Sequence, residues 1–252
     1  MRILVTGGHG MLAQDVVREL ESRGHDVTAQ DRDTLDILEL PALTARLDEL
    51  RPDAVVNCAA WTAVDAAEEN EAGAFLLNAV AVQNLARATE AAGARLVHIS
   101  TDYVFDGVTD RPYREDDAIA PLNVYGASKA AGEMAASTAP RHYIVRSSWV
   151  VGEGRNFVDT MRDLAERDIR PQVVHDQKGR PTFASELARG IAHLLEVEPE
   201  YGIYHLTGGG DEVGFDELAM AVYTGLHHDP DMVTPVSTAQ YFDGKAHARR
   251  PS

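Results

Sequence analysis

The chain has 252 residues, 44% of them hydrophobic and 25% charged, an ordinary composition with room for one large α/β domain and an annex. Its formal net charge of −17 argues against a nucleic-acid partner, and no apolar run approaches the ~18 residues that would suggest a membrane span. The single cysteine, Cys58, excludes an internal disulfide and the opening MRILVTGGHG lacks a signal-peptide layout, so a cytoplasmic chain is expected. Ile3-Leu4-Val5 reads as a short buried strand, and 10–21 as a helix with Leu12, Val16 and Leu20 on one face. Val27-Thr28-Ala29 is a second strand. Pro41 opens a helix lined by Leu43, Leu47 and Leu50. Ala54-Val55-Val56 is a third strand. A long helix is predicted over 74–92, with Leu77, Val80, Ala81, Leu85 and Ala88 inside. Leu96-Val97-His98-Ile99 and Tyr143-Ile144-Val145 are strands flanking a helix that carries Tyr125. Beyond residue 152, helices over 157–166, 183–195 and 215–226 alternate with strands near Val173 and Tyr204. Repeated βα units with continuously apolar strands predict an α/β fold, a Rossmann-type doubly wound parallel sheet with a smaller C-terminal substrate-binding lobe.

Three segments carry chemistry. Thr6-Gly7-Gly8-His9-Gly10 lies between the first strand and helix. Gly7 and Gly10 permit a tight turn and close approach of a pyrophosphate to backbone N–H groups, and Ala13 lets the helix pack on the strand. Asp31, past the second strand, is placed for an adenosine ribose, and Arg32 beside it for a 2′-phosphate, which leaves NADPH and NADH both open. Tyr125 and Lys129 are four apart, on one face of a helix. Two unit charges about 5 Å apart at an effective dielectric of ~20 interact by roughly 3 kcal/mol, enough to bring a phenol from ~10 towards neutrality. Such a tyrosine can pass a proton to a carbonyl oxygen. Thr101, at the carboxyl end of a central strand, is placed to hydrogen-bond the same oxygen. Trp149 offers a ring that can pack on a sugar face.

Taken together, GGHGMLA, NCAAWTAVD, HISTDYVFDG, PLNVYGASKAAGE and RSSWVVGEGRNF resemble the extended short-chain dehydrogenase/reductases over nearly the whole chain. STDYVFDG, PLNVYG-x-SK and Asp176-Gln177-Lys178-Gly179-Arg180-Pro181-Thr182 resemble the branch that reduces 4-keto dTDP-sugars. The resemblance implies reduction of dTDP-4-dehydro-L-rhamnose to dTDP-L-rhamnose by NADPH or NADH. It implies catalytic roles for Thr101, Tyr125 and Lys129, with the last two also touching the cofactor. It implies cofactor contacts at Gly7, Gly10, Met11, Leu12, Asp31, Asp36, Ile37, Ala59, Ala60 and Asn78, and substrate contacts at Thr62, Val64, Asp102 and Trp149. It implies residues 1–151 as the NAD(P)-binding domain and 152–252 as a nucleotide-sugar lobe interleaved with it. A monomer or homodimer is expected, with Mg2+ suggested by the resemblance alone. Departures are Ala13 for a usual glycine, Val151 for a common tyrosine, and an end at Arg249-Arg250-Pro251-Ser252 where relatives continue. The last implies either a shortened chain or a tail outside this sequence. A related 4-ketoreductase for another deoxysugar shares these residues. A non-catalytic, NADP-binding regulatory subunit would not need Thr101, Tyr125 and Lys129 intact.

Overall fold

A computed structural model describes residues 1–244 and 246–251; Lys245 and the chain end at Ser252 lie outside them. The apolar runs form β1 (Arg2–Thr6), β2 (Asp26–Gln30), β3 (Ala54–Asn57), β4 (Arg95–Thr101) and β5 (His142–Ser147), joined by the strand Gly202–His205. The order across the sheet is Gly202–His205, β5, β4, β3, β1, β2, and every neighbouring pair is parallel. From β1 the chain first goes to β2 on one side and then to β3 on the other. That reversal opens a crevice at the carboxyl ends of β1 and β3, where open α/β sheets take their ligands.

Between the strands run α1 (Met11–Ser22), α2 (Leu40–Leu50), α3 (Val64–Glu69), α4 (Glu71–Phe75), α5 (Ala81–Ala92) and α6 (Val124–Ala136). After β5 come α7 (Phe157–Glu166), α8 (Ala184–Val197) and α9 (Phe215–Gly225). Side chains alternate across a strand, so each strand feeds two cores. Ile3, Val5, Val56, Val97 and Val145 pack with Val16 and Leu20 of α1 and Leu187 and Ile191 of α8. Leu4, Val55, Leu96 and Ile144 pack on the other face with Leu43 and Leu47 of α2, Leu85 of α5 and Ala136 of α6. A third core joins α7 to α9 through Met161, Ala165, Ala219 and Tyr223, with Val173 and Val233 beside them. Residues 184–205 return to the main layers, α8 against α1 and Gly202–His205 against β5. Among the described residues no helix is long and apolar enough to cross a membrane.

The predicted helix over 74–92 starts three residues earlier and is continuous, but it is not α-helical throughout. α4 runs into a π-helical turn, Leu76–Val80, before α5. The wider turn rotates the helix relative to a 3.6-residue period. Val80, expected inside, is therefore 43% exposed and Leu77 only half-buried, whereas Ala81, Leu85 and Ala88 are buried as the period predicts.

Candidate active site

The glycine loop is forced by its surroundings. Gly7 has φ +69°, and a β-carbon there would lie 2.8 Å from the Ala59 backbone. The N–H of Gly10 donates to the Gly7 carbonyl at 2.8 Å, closing the turn. Gly10 is the N-cap of α1 and brings no side-chain cap, so the helix's first N–H groups and positive dipole end stay available to an anion. That cradle fits a pyrophosphate. A groove of about 490 Å³ extends from it, lined by Gly7, Gly10, Asp31, Arg32, Asp36 and Ile37 on one wall and by Ala59, Ala60 and Trp61 on the other. Asp31 accepts the N–H groups of His9 (2.9 Å) and Arg32 (2.7 Å), which hold its carboxyl below the usual range. The Arg32 side chain is 83% exposed at the rim, its Nε 3.8 Å from Asp36.

Asn78 differs from the expectation of a cofactor contact. It is fully buried in the π-helical turn, and its amide is spent on protein groups. Its Oδ1 accepts the Trp61 N–H at 2.8 Å, and its Nδ2 donates to the Trp61 carbonyl at 3.0 Å and to Ser128 Oγ at 2.9 Å. It pins the loop that walls the groove and the helix that carries Tyr125.

The groove continues into a cavity of about 480 Å³. Gly10, Met11 and Leu12 line one side, Thr62 and Val64 another, and Thr101, Asp102, Tyr125, Lys129 and Trp149 the rest. α6 starts at an Asn123 cap whose Oδ1 accepts the Gly126 N–H at 2.7 Å, which turns Tyr125 and Lys129 into the cavity on one face. Thr101 Oγ donates to Asp102 at 2.9 Å and accepts the Tyr103 N–H at 3.2 Å. Lys129 Nζ donates to the Ile99 carbonyl at 2.5 Å. Burial dominates the titration of all three ionisable groups. It pushes Tyr125 well above the ordinary phenol range, the Thr101 hydroxyl working against it and Asp102 with it. It pushes Lys129 down to about 8, Glu133 opposing, and Asp102 up to about 6. Burial of the phenol thus runs against the lowering expected from the Lys129 ammonium, whose Nζ is engaged by the Ile99 carbonyl.

Behind Lys129 sits a cluster that composition and motif reading missed. Glu133 accepts Ser100 Oγ at 2.5 Å, Arg146 Nε at 2.9 Å and the Arg146 terminal nitrogen at 2.7 Å, with Glu133 and Arg146 both about 4% exposed. The available signal was spacing: Glu133 follows Lys129 by four residues on the same buried face.

Trp149 forms the far wall. Its backbone is left-handed, φ +43°, and its ring stacks on Phe215 of α9 at 3.6 Å and 15°. An adjoining cavity of about 350 Å³ is lined by Asp102, Tyr103, Trp149, Gln177, Lys178 and Pro251. Asp176, from the same motif, accepts the N–H and hydroxyl of Thr238 and so serves the lobe's framework. Of the terminal arginines, Arg250 pairs with Asp65 of α3 at 2.7 Å. Ala13, in place of the usual glycine, is fully buried in the core between α1 and the sheet. Among the described residues no group of three or more His, Cys, Asp or Glu is placed to hold a metal ion.

The family model described as the RmlD substrate binding domain matches residues 1–252. A dTDP-4-dehydrorhamnose reductase of Mycobacterium tuberculosis (strain ATCC 25618 / H37Rv) is 41% identical over 247 residues, covering 95% of this chain and 80% of that protein. A probable dTDP-4,6-dihydroxy-2-methyloxan-3-one 4-ketoreductase of Streptomyces antibioticus is 43% identical over 244 residues, covering 96% of this chain and 82% of that protein. Among solved structures, a Bacillus anthracis dTDP-4-dehydrorhamnose reductase in complex with NADP superposes with a TM-score of 0.93 at 36% identity, over 99% of this chain and 88% of that one.

Proposed function

The chain belongs to the RmlD substrate-binding-domain family, and from that premise we propose that it reduces the 4-keto group of dTDP-4-dehydro-L-rhamnose, with NADPH or NADH as reductant. One observation carries the reading: the phosphate cradle at the α1 N-terminus and the Thr101, Tyr125, Lys129 trio line a single cavity. The reduced nicotinamide, when bound, supplies the hydride. Gly7, Gly10 and the N–H groups of Met11 and Leu12 would hold its pyrophosphate, and Asp31, Arg32, Asp36 and Ile37 its adenosine end. Asn78 acts on that end through the Trp61 loop.

Tyr125 donates its proton to the C4 oxygen as negative charge builds there. The phenol, its pKa raised by burial, carries the proton to be given at neutral pH. Thr101 turns its hydroxyl from Asp102 to the same oxygen. Lys129 supplies the positive charge that the departing phenol proton leaves uncompensated, and Glu133 helps to keep that lysine charged. Thr62, Val64, Asp102 and Trp149 flank the sugar, and the nucleotide lies along the smaller lobe beyond Trp149.

A second reading, a 4-ketoreductase acting on another dTDP-deoxysugar, is favoured by the similarity to the Streptomyces antibioticus relative, 43% identical against 41% for the Mycobacterium tuberculosis protein. Incubation with dTDP-4-dehydro-L-rhamnose and NADPH, followed by assignment of the product's C4 configuration, tests both. Formation of dTDP-L-rhamnose supports the first. Consumption of NADPH only with other 4-keto dTDP-sugars supports the second, and no consumption with any of them overturns both.

A further inference from the structure

Two buried side-chain atoms among the described residues have no hydrogen-bond partner, His98 Nε2 and Ser147 Oγ. His98 Nε2 lies behind α6, against Gly132, as the end of a ladder that runs through Asn57 to Thr6. Ser147 is different. It ends β5, is 4% exposed, and stands in register with Thr101 of β4. Residues in register on neighbouring parallel strands share a face, with the strands about 4.8 Å apart. Ser147 also lines the cavity that holds Thr101, Tyr125, Lys129 and Trp149. Its two hydroxyl neighbours are satisfied: Ser148 donates to the Arg180 carbonyl at 2.8 Å and Ser100 to Glu133 at 2.5 Å. A buried hydroxyl with no partner is costly, and an apolar residue of the same size would avoid the cost.

We propose that Ser147 donates a hydrogen bond to an acceptor oxygen of the ligand held over Thr101 and Tyr125. The acceptor is a neutral carbonyl or sugar oxygen, either the carboxamide of the nicotinamide or an oxygen of the keto-sugar beside it. The proposal rests on the reductase reading and adds a specificity-determining residue to it.

Ser147→Ala tests it. Removing an unpartnered buried hydroxyl leaves the free protein's melting temperature unchanged or raised. NADPH affinity, followed by quenching of tryptophan fluorescence, or the KM for dTDP-4-dehydro-L-rhamnose at saturating NADPH, weakens about tenfold. Weaker NADPH binding with an unchanged sugar KM assigns the carboxamide; the reverse assigns the sugar. A lowered melting temperature would show that the hydroxyl already serves the fold and would overturn the proposal. So would a Kd, KM and kcat all within twofold of the unsubstituted protein. If the unsubstituted protein binds NADPH but reduces no keto-sugar, the reductase reading fails while the NADPH arm still tests Ser147.

Discussion

Burial acts in opposite directions on Tyr125 and Lys129, four residues apart on α6. It holds the proton on Tyr125 and loosens the proton on Lys129. In the proposed reaction the protonated phenol is the acid, and loss of the Lys129 charge removes the cation that supports it. Tyr125→Phe removes the proton donor and leaves the ring: kcat should fall at least ~100-fold with the NADPH dissociation constant nearly unchanged, and an unchanged kcat would eliminate Tyr125 as the acid. Lys129 gives a pH limit whose sign follows from its pKa of about 8. Below that value the ammonium is present; above it the cation is lost, so kcat should decline about tenfold per pH unit on the alkaline side. In Lys129→Met the rate should be low throughout and that limb should vanish from the pH–rate profile. The residue types and their spacing were legible in YGASK. Their tuning was not, because it depends on how deeply α6 sinks against β4, and no local pattern reports depth.

That depth is set between elements. A β-carbon at Gly132 would meet the Asn78 carbonyl at 2.1 Å, and one at Gly126 the Tyr103 carbonyl at 2.2 Å. Two glycines thus let α6 lie directly on the backbone of the π-helical turn and of the turn after Thr101. Ala130 and Ala136, buried between α6 and its neighbours, extend the close-packed face. Gly132→Ala should therefore force helix and turn apart, cost about 1–3 kcal/mol by overpacking, and lower the melting temperature. Because the displaced turn holds Asn78, NADPH affinity should fall in the same variant; urea titration and fluorescence binding check the two effects. A helical period located the core faces of α1 and α2 correctly, since both are regular. It misplaced Val80, because one wide turn shifts the phase and leaves no mark in hydrophobicity. The same turn carries Asn78, whose amide holds the Trp61 loop.

Over the whole molecule, the parallel, doubly wound sheet was implied by repeated βα units. The path of residues 184–205 back to the main sheet was not, since α8 has the same amphipathic pattern whichever layer receives it. Nor was the tie between the chain's last described residues and the first layer, which joins groups far apart in sequence. Asp65 of α3 accepts the Ala248 N–H at 3.0 Å and the Arg250 guanidinium at 2.7 Å, and Asn123 donates to the Arg249 carbonyl at 2.6 Å. Ala248 is 1% exposed, and Pro251 lies on the wall of the cavity that contains Trp149. This stretch therefore closes one side of the cavity beyond Trp149, where the proposed function puts the nucleotide-sugar, and none of the glycine-loop residues lines that cavity. Asp65→Ala removes both of its side-chain anchors. Stability should fall by only about 1 kcal/mol, since the ion pair is half-exposed and the freed N–H can find water. The KM for the sugar nucleotide should rise several-fold while the NADPH dissociation constant holds. Arg250→Ala removes the ion pair and keeps the Ala248 hydrogen bond, so its KM should lie between those of Asp65→Ala and the unsubstituted protein. Steady-state kinetics at saturating NADPH decide the point, and a weakening of NADPH binding equal to that of the sugar would show that the stretch braces the whole cleft instead of one wall.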